Sequence, residues 1–434
     1  MFSMDLDYLH PTNKLTGLGG DRGMLCLPQP IALISDHADP AAKIGVEEAG
    51  GQNVYVRQVG EHLAVLGWSV DMFTRKVNPE DPAIVQHSPN CRTIRLVAGP
   101  EQFIPRDEIF DYMPHFVEAF ETFRLREGIN YPVVHTNYWL SAWVGLELKK
   151  KNSKIQLVHT YHSIGKVKYQ VVPNRPAIAS KRLEVERQIL EQANCIVATS
   201  PQEREYLRTL VSHKGNIKLI PYGIDIDNFR IIPKAEARAK LGLTANEQIV
   251  LYVGRFDPRK GIETLVRACA QSQAQTLGKL RLIIVGGSCP DRIDGLERKR
   301  IEQIVQEVGL AEKTIFPGQL DHKILPLYYA AADVCVIPSH YEPFGLVAIE
   351  AMACGTPVVA SDVGGLKFTV VPEKTGLLVP PQSTTAFAAA IDQILADKCW
   401  AKQLGIYASD RVCKRFSWTE IVSQLSNLYQ CLLH

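Results

Sequence analysis

The chain has 434 residues, of which 46% are apolar and 22% charged, with 48 Lys plus Arg against 46 Asp plus Glu. Values near the globular average exclude collagen-like, coiled-coil and disordered classes, and a chain of this length implies two or three domains with large cores. A net charge of +2 argues against nucleic acid as a general partner, though not against a local cationic pocket for a small anion.

The first fourteen residues carry two early acids and no apolar run, so no export signal is expected there. No apolar run approaches the ~20 residues of a membrane span, so no membrane association is expected. The ten cysteines, from Cys26 onward, stand singly without a C-x-x-C pair. Those in NCIVATS and DVCVIPS read as small buried hydrophobes in a reducing, cytoplasmic setting.

Short β-branched runs open the chain: PIALIS (30–35), SVDMFT (69–74), PVVHT (132–136), IQLVHT (155–160), CIVATS (195–200) and IKLIPYG (217–223). Helical spacing lies between several of them, as at 53–66 and 181–193. A charged segment, DIDNFRIIPKAEARAKLGLTANE, reads as a linker. A second series follows: QIVLYVGR, LRLIIVGG, TIFPG, VCVIPS, PVVAS and GLLVP, again alternating with helices. Strand and helix in alternation predict parallel sheets covered on both faces. The fold class expected is α/β, as two doubly wound Rossmann-like domains facing across a cleft. The domains expected are 1–235 and 236–414, and the helical stretch from about 415 to 434 can pack back on the first. Ligands of such domains sit in the cleft, at the C-terminal strand ends.

One motif after VCVIPS stands out: Glu342-Pro343-Phe344-Gly345-Leu346-Val347-Ala-Ile-Glu350. Pro343 suits a helix start and Gly345 permits close backbone approach. Amides of Gly345, Leu346 and Val347 at a helix N-terminus can hold a phosphate. Glu350, about two turns on, can accept from a ribose diol. In Gly254-Arg255-Phe-Asp-Pro-Arg-Lys260-Gly261, Arg255 and Lys260 can neutralise a diphosphate leaving group without a metal. Gly50-Gly51-Gln52-Asn53 suits close approach of a ligand at a helix start.

The run from Glu342 to Glu350, followed by Ala353-Cys-Gly-Thr-Pro-Val-Val-Ala-Ser-Asp-Val-Gly-Gly365, resembles the retaining nucleotide-sugar glycosyltransferases of the GT-B fold, family 4. The resemblance spans about 30 to 400. It implies that Glu342 lies by the transferred sugar, that Glu350 binds the ribose, and that Arg255 and Lys260 bind the diphosphate. It also implies that Gly51 belongs to a glycine loop over donor and acceptor, with Gln52 and Asn53 on the acceptor side. In His159-Thr-Tyr-His162-Ser-Ile-Gly-Lys166-Val-Lys168-Tyr169, His162 matches the histidine that contacts the sugar near its 6-hydroxyl.

The His162–Lys168 string resembles sucrose-phosphate synthases, which places Lys166 and Lys168 toward an acceptor phosphate. Arg106 and Arg182 fit the same family's Ile-Pro-Lys and Arg-Ile-x-x-Glu stretches. His135-Thr-Asn-Tyr138 instead resembles the inositol-phosphate N-acetylglucosaminyltransferases of mycothiol synthesis, and the Lys-x-Lys-Tyr169 spacing is similar to sucrose synthases.

The expected reaction is transfer of glucose from UDP-glucose or ADP-glucose to fructose 6-phosphate, giving sucrose 6-phosphate, with inositol phosphate or free fructose as alternative acceptors. A separate phosphatase would release free sucrose. Asp225-Ile-Asp227 fits a D-x-D metal motif but lies in the linker, and the family needs no metal, so neither metal nor cofactor is expected.

Overall fold

The structure, a computed structural model, describes residues 28–42, 51–171, 175–289 and 293–434. Gly50, Cys26 and the amino-terminal stretch read for an export signal lie outside the described residues.

The first sheet holds β1 (Gln29–Ile34), β2 (Trp68–Arg75), β3 (Ile84–Ser88), β4 (Cys91–Leu96), β5 (Val133–Asn137), β6 (Gln156–Thr160), β7 (Cys195–Ala198) and β8 (Ile217–Leu219). Its order is β3-β4-β2-β1-β5-β6-β7-β8. Only the edge strand β3 runs antiparallel to its neighbour. Sequence spacing missed β3 and β4, because IVQHS and CRTIRL alternate polar with apolar residues. That alternation suits strands near a sheet edge better than the continuous runs of central strands.

The second sheet holds β9 (Gln248–Val253), β10 (Leu280–Val285), β11 (Thr314–Gly318), β12 (Val334–Ile337), β13 (Val358–Ser361) and β14 (Gly376–Val379), all parallel. Its order is β11-β10-β9-β12-β13-β14. Each sheet reverses its winding direction once, between β1 and β5 and between β9 and β12. Loops leaving the carboxyl ends of those strands diverge there and open a crevice.

The linker read at 225–247 contains a helix, Lys234–Leu241, closed by Gly242 at φ 66°. The chain crosses between the sheets twice, side by side. The amide of Ile224 donates to the Phe416 carbonyl (2.7 Å) and that of Trp418 donates back to Ile224 (3.3 Å). The last helix, Trp418–Leu433, then lies on the first sheet's side. Its Ile421, Val422, Leu425 and Tyr429 are buried with Tyr55, Val56 and Val59 of helix Gly51–Val65. Two polar ties fix it: Trp68 Nε1 donates to Ser426 Oγ (2.9 Å), and Tyr429 Oη lies 2.6 Å from His135 Nδ1. Among the described residues, no helix is long and apolar enough to cross a membrane.

Candidate active site

The second sheet contributes two loops. After β12 the chain turns at Gly345, whose φ of 94° is left-handed. A Cβ there would also meet Leu366 Cδ2 at 2.7 Å. Gly345 begins helix Leu346–Ala353 without a side-chain cap, so its first amides and the positive end of its dipole suit an anion. Phe344 is buried, while Leu346 and Val347 are partly exposed. The Glu342 carbonyl accepts from the Gly365 amide (2.9 Å), and a Cβ on Gly364 would stand 2.2 Å from that oxygen. The paired glycines thus let the two loops touch.

Glu342 Oε2 accepts from Lys260 Nζ at 2.6 Å and from Ser339 Oγ at 3.4 Å. Lys260 ends a short 3-10 turn, Pro258–Lys260, in which the Asp257 side chain accepts the Arg259 amide. Arg255 is exposed at the end of β9. Glu350 Oε2 accepts from Tyr329 Oη (2.6 Å), and burial raises its carboxyl above the usual range.

Gly261, at φ 67°, would place a Cβ 2.1 Å from the Pro338 carbonyl oxygen. Gly261→Ala is therefore expected to cost about 1–3 kcal/mol through strain and crowding. Urea unfolding measures the loss, and kcat should fall with it because Lys260 is displaced.

The first sheet contributes the facing wall. Gly51 opens its helix against the other side of the cleft, where a Cβ would lie 3.6 Å from Leu346 Cδ1. Gln52 Nε2 donates to Ser35 Oγ (3.1 Å) and to the Asn137 carbonyl (3.4 Å). Asn53 is buried and donates to the Asp39 carbonyl (3.0 Å), which ties the start of that helix to the loop after β1. His162 has φ 57° and lies with Nε2 2.9 Å from Asn137 Oδ1 and Nδ1 2.5 Å from Tyr222 Oη. The Tyr222 ring in turn meets Phe344, centroids 5.1 Å apart, and Ser200 Oγ donates to the Pro343 carbonyl (3.3 Å). His162 and the Glu342–Glu350 motif therefore meet through one tyrosine.

Burial, then the neighbouring His135 and His37, pushes the His162 imidazole down to about 3. An unfolded histidine titrates near 6.5. The resulting stabilisation is complete above about pH 6.5 and is lost as pH falls toward 3. Ring NMR of His162 should accordingly show no titration between about pH 5 and 8. An inflection there would mean an open, hydrated site.

Four cationic groups gather on the acceptor side. Arg182 is 1% exposed. Its Nε donates to Glu186 Oε1 (2.7 Å), Nη2 to the Ser163 carbonyl (2.9 Å) and Nη1 to Tyr138 Oη (3.1 Å). Burial, together with Arg182, Arg106 and Arg259, lowers the Lys168 ammonium below its usual range. Asp107 acts on Lys168 in the opposite direction, and Arg259, from the opposite domain, is itself paired with Asp257 at 2.5 Å. Lys166 is exposed on the short helix Gly165–Val171. Tyr138, at φ 75°, is buried under Arg182, whose guanidinium carbon lies 5.0 Å from its ring centre.

Sequence reasoning missed Tyr222, Asn137, Ser339, Glu186 and Arg259. All five sit inside runs or motifs quoted above, so their positions were visible but their roles were not. Asp225 uses its carboxylate to accept the amides of Asp227 and Asn228, both at 3.1 Å. Among the described residues, no group of three or more His, Cys, Asp or Glu is placed to hold a metal ion.

Residues 49–228 match the Glycosyltransferase Family 4 model and residues 233–411 the Glycosyl transferases group 1 model. The chain is 37% identical to a D-inositol 3-phosphate glycosyltransferase of Mycobacteroides abscessus, over 86% of this chain and 83% of that protein. It is 57% identical to a sucrose-phosphate synthase from Thermosynechococcus elongatus, with a TM-score of 0.84 over 93% of this chain and 99% of that one. An Anabaena protein, HepE, solved with UDP and glucose, is 20% identical with a TM-score of 0.72, over 93% of this chain and 100% of that one, a likeness of fold alone. Two Rossmann-like sheets, the Glu342–Glu350 and Arg255–Lys260 motifs facing His162, and these matches place the chain among the GT-B glycosyltransferases of family 4.

Proposed function

We propose that the chain is a sucrose-phosphate synthase that moves glucose, with retention, from UDP-glucose or ADP-glucose to fructose 6-phosphate. The observation that carries this reading is the 57% identity to a sucrose-phosphate synthase across 93% of the chain. The cationic side chains of Arg106 and Lys168 support a phosphorylated acceptor.

In this reading residues 1–235 hold the acceptor and 236–414 the donor. The bond from the sugar's anomeric carbon to the diphosphate breaks. Charge grows on the leaving oxygen, where Lys260, Arg255 and the amides after Pro343 stabilise it. The acceptor hydroxyl oxygen bonds to the same carbon from the same face, and its proton passes to the leaving phosphate. His162 and Glu342 position the sugar, Glu350 the ribose. Cleft closure excludes water and limits donor hydrolysis. Product released in the cytoplasm would need a separate phosphatase to give free sucrose.

A second reading, transfer to an inositol phosphate, draws on the 37% identity to D-inositol 3-phosphate glycosyltransferases and on His135-Thr-Asn-Tyr138. Turnover of UDP-glucose and ADP-glucose with fructose 6-phosphate, fructose and inositol 3-phosphate in parallel, with products identified by mass, separates them. Sucrose phosphate from fructose 6-phosphate alone is the expected result. Nucleotide release with another acceptor only would overturn the synthase reading.

A further inference from the structure

We infer that Tyr222 is a positioning residue that locks His162 as its Nε2–H tautomer and ties the imidazole to the donor loop. The proton arrangement is set at Asn137. Its Nδ2 donates to the Ile34 carbonyl at 3.3 Å and to that of His135 at 3.5 Å. Those two acceptors fix the amide's orientation, so the atom facing His162 is Oδ1, which only accepts. His162 Nε2, 2.9 Å away, must then carry the ring proton. In a neutral imidazole the other nitrogen is an acceptor. Tyr222 Oη, 2.5 Å from Nδ1, must therefore donate its proton to the ring. The tautomer follows from two strand carbonyls, through one amide, to one phenol.

The same tyrosine touches both sides of the cleft. It lies in the crossing segment just after β8, next to Gly223 and Ile224. Its ring packs edge-on against Tyr55 (5.1 Å) and Phe344 (5.1 Å). Phe344 sits inside the motif that begins at Glu342. A shift of that motif moves the phenol, and the phenol holds Nδ1. The left-handed backbone at His162 is a strained conformation for a non-glycine residue, and it persists only where surroundings over-determine it. Here Arg182 grips the Ser163 carbonyl and Glu186 accepts the Gly165 amide, which fixes the backbone beside it. Tyr222 and Asn137 fix the ring.

This inference rests on the transferase reading above only for its kinetic half. The test uses full-length protein labelled with ¹⁵N-histidine, with His162 assigned by comparison with His162→Gln. The wild-type spectrum is expected to show Nε2 protonated and Nδ1 bare. Tyr222→Phe keeps the ring and removes only the hydroxyl. It should admit the Nδ1–H tautomer and lower kcat about three- to tenfold, the effect of one hydrogen bond, with the donor KM nearly unchanged. Asn137→Asp retains an acceptor oxygen and should retain the Nε2–H form. An Nδ1–H tautomer in the wild type, its appearance in Asn137→Asp, or a Tyr222→Phe protein unchanged in spectrum and kcat would each overturn the inference. Turnover is measured with whichever acceptor the wild type uses. Rejection of fructose 6-phosphate would thus defeat the acceptor reading while the tautomer result stands.

Discussion

Lys260→Ala is expected to lower kcat by about 10²- to 10³-fold, the usual loss for one preorganised group aimed at a developing oxyanion. Three features support an effect of that size. Lys260 stands at the mouth of β9, beside a helix start whose dipole already favours an anion. Gly261 and Asp257 fix the turn that carries it, so little reorganisation is needed when charge develops. Its ammonium is held by Glu342 at 2.6 Å, which keeps it pointed inward.

That ion pair also offers a competing explanation. If Lys260 served only to pair with Glu342, the alanine change would cost activity in the wild type but nothing further in a Glu342→Gln background, where no carboxylate is left unpaired. The donor-site role predicts a similar further loss in both backgrounds. Both side chains are partly exposed, so the pair itself should contribute little to stability, and the thermal midpoint should move by only a few degrees. Steady-state nucleotide release, with the melt measured on the same preparation, decides between the two.

The strands that carry the site were legible because they are central. PIALIS, PVVHT, QIVLYVGR and VCVIPS are buried on both faces and read as continuous apolar runs, which is what parallel strands under helices require. IVQHS and CRTIRL lie toward the edge of the first sheet, so their alternation with polar residues hid them. The linker hid the helix Lys234–Leu241 because its charged residues mask a short apolar face of Ala237 and Leu241, and because a buried arginine, Arg238, holds it to the Ala331 carbonyl (3.0 Å).

At the site, Lys260, Glu342, Gly345 and His162 were readable because a short string fixes their local geometry. Tyr222 was not. It acts on His162, 60 residues away, and no spacing rule expresses that. Glu186 was readable as the i,i+4 partner of Arg182, but its hold on the Gly165 amide was not. Arg182 shows the limit from the other side. Its sequence context suggested a ligand for a phosphate, while the structure has most of its donors already engaged.

Arg182→Ala is accordingly expected to cost about 3–5 kcal/mol of folding stability, the usual penalty for removing one partner of a buried ion pair. Arg182 and Glu186 are both essentially without solvent exposure, at 1% and 0%. The pair is not sealed off alone. Glu186 also accepts the Gly165 amide, at 3.0 Å and 2.8 Å to its two oxygens, while Arg182 holds the Ser163 carbonyl. Burial already pushes the Glu186 carboxyl above its usual range and Arg182 pulls it back, so deleting the arginine leaves a desolvated acid with one amide.

Urea unfolding of Arg182→Ala gives the loss. Arg182→Met with Glu186→Gln should recover much of it, because the glutamine oxygen still accepts from Gly165 and no charge is left buried. Activity separates the loop-holding role from phosphate binding. A positioning role lowers kcat, since the Ser163–Gly165 backbone that follows His162 loosens. A direct role raises the KM for the phosphorylated acceptor in Arg182→Lys with kcat nearly unchanged. A stability cost under about 1 kcal/mol would show that the guanidinium is not committed to the loop and is available to a ligand.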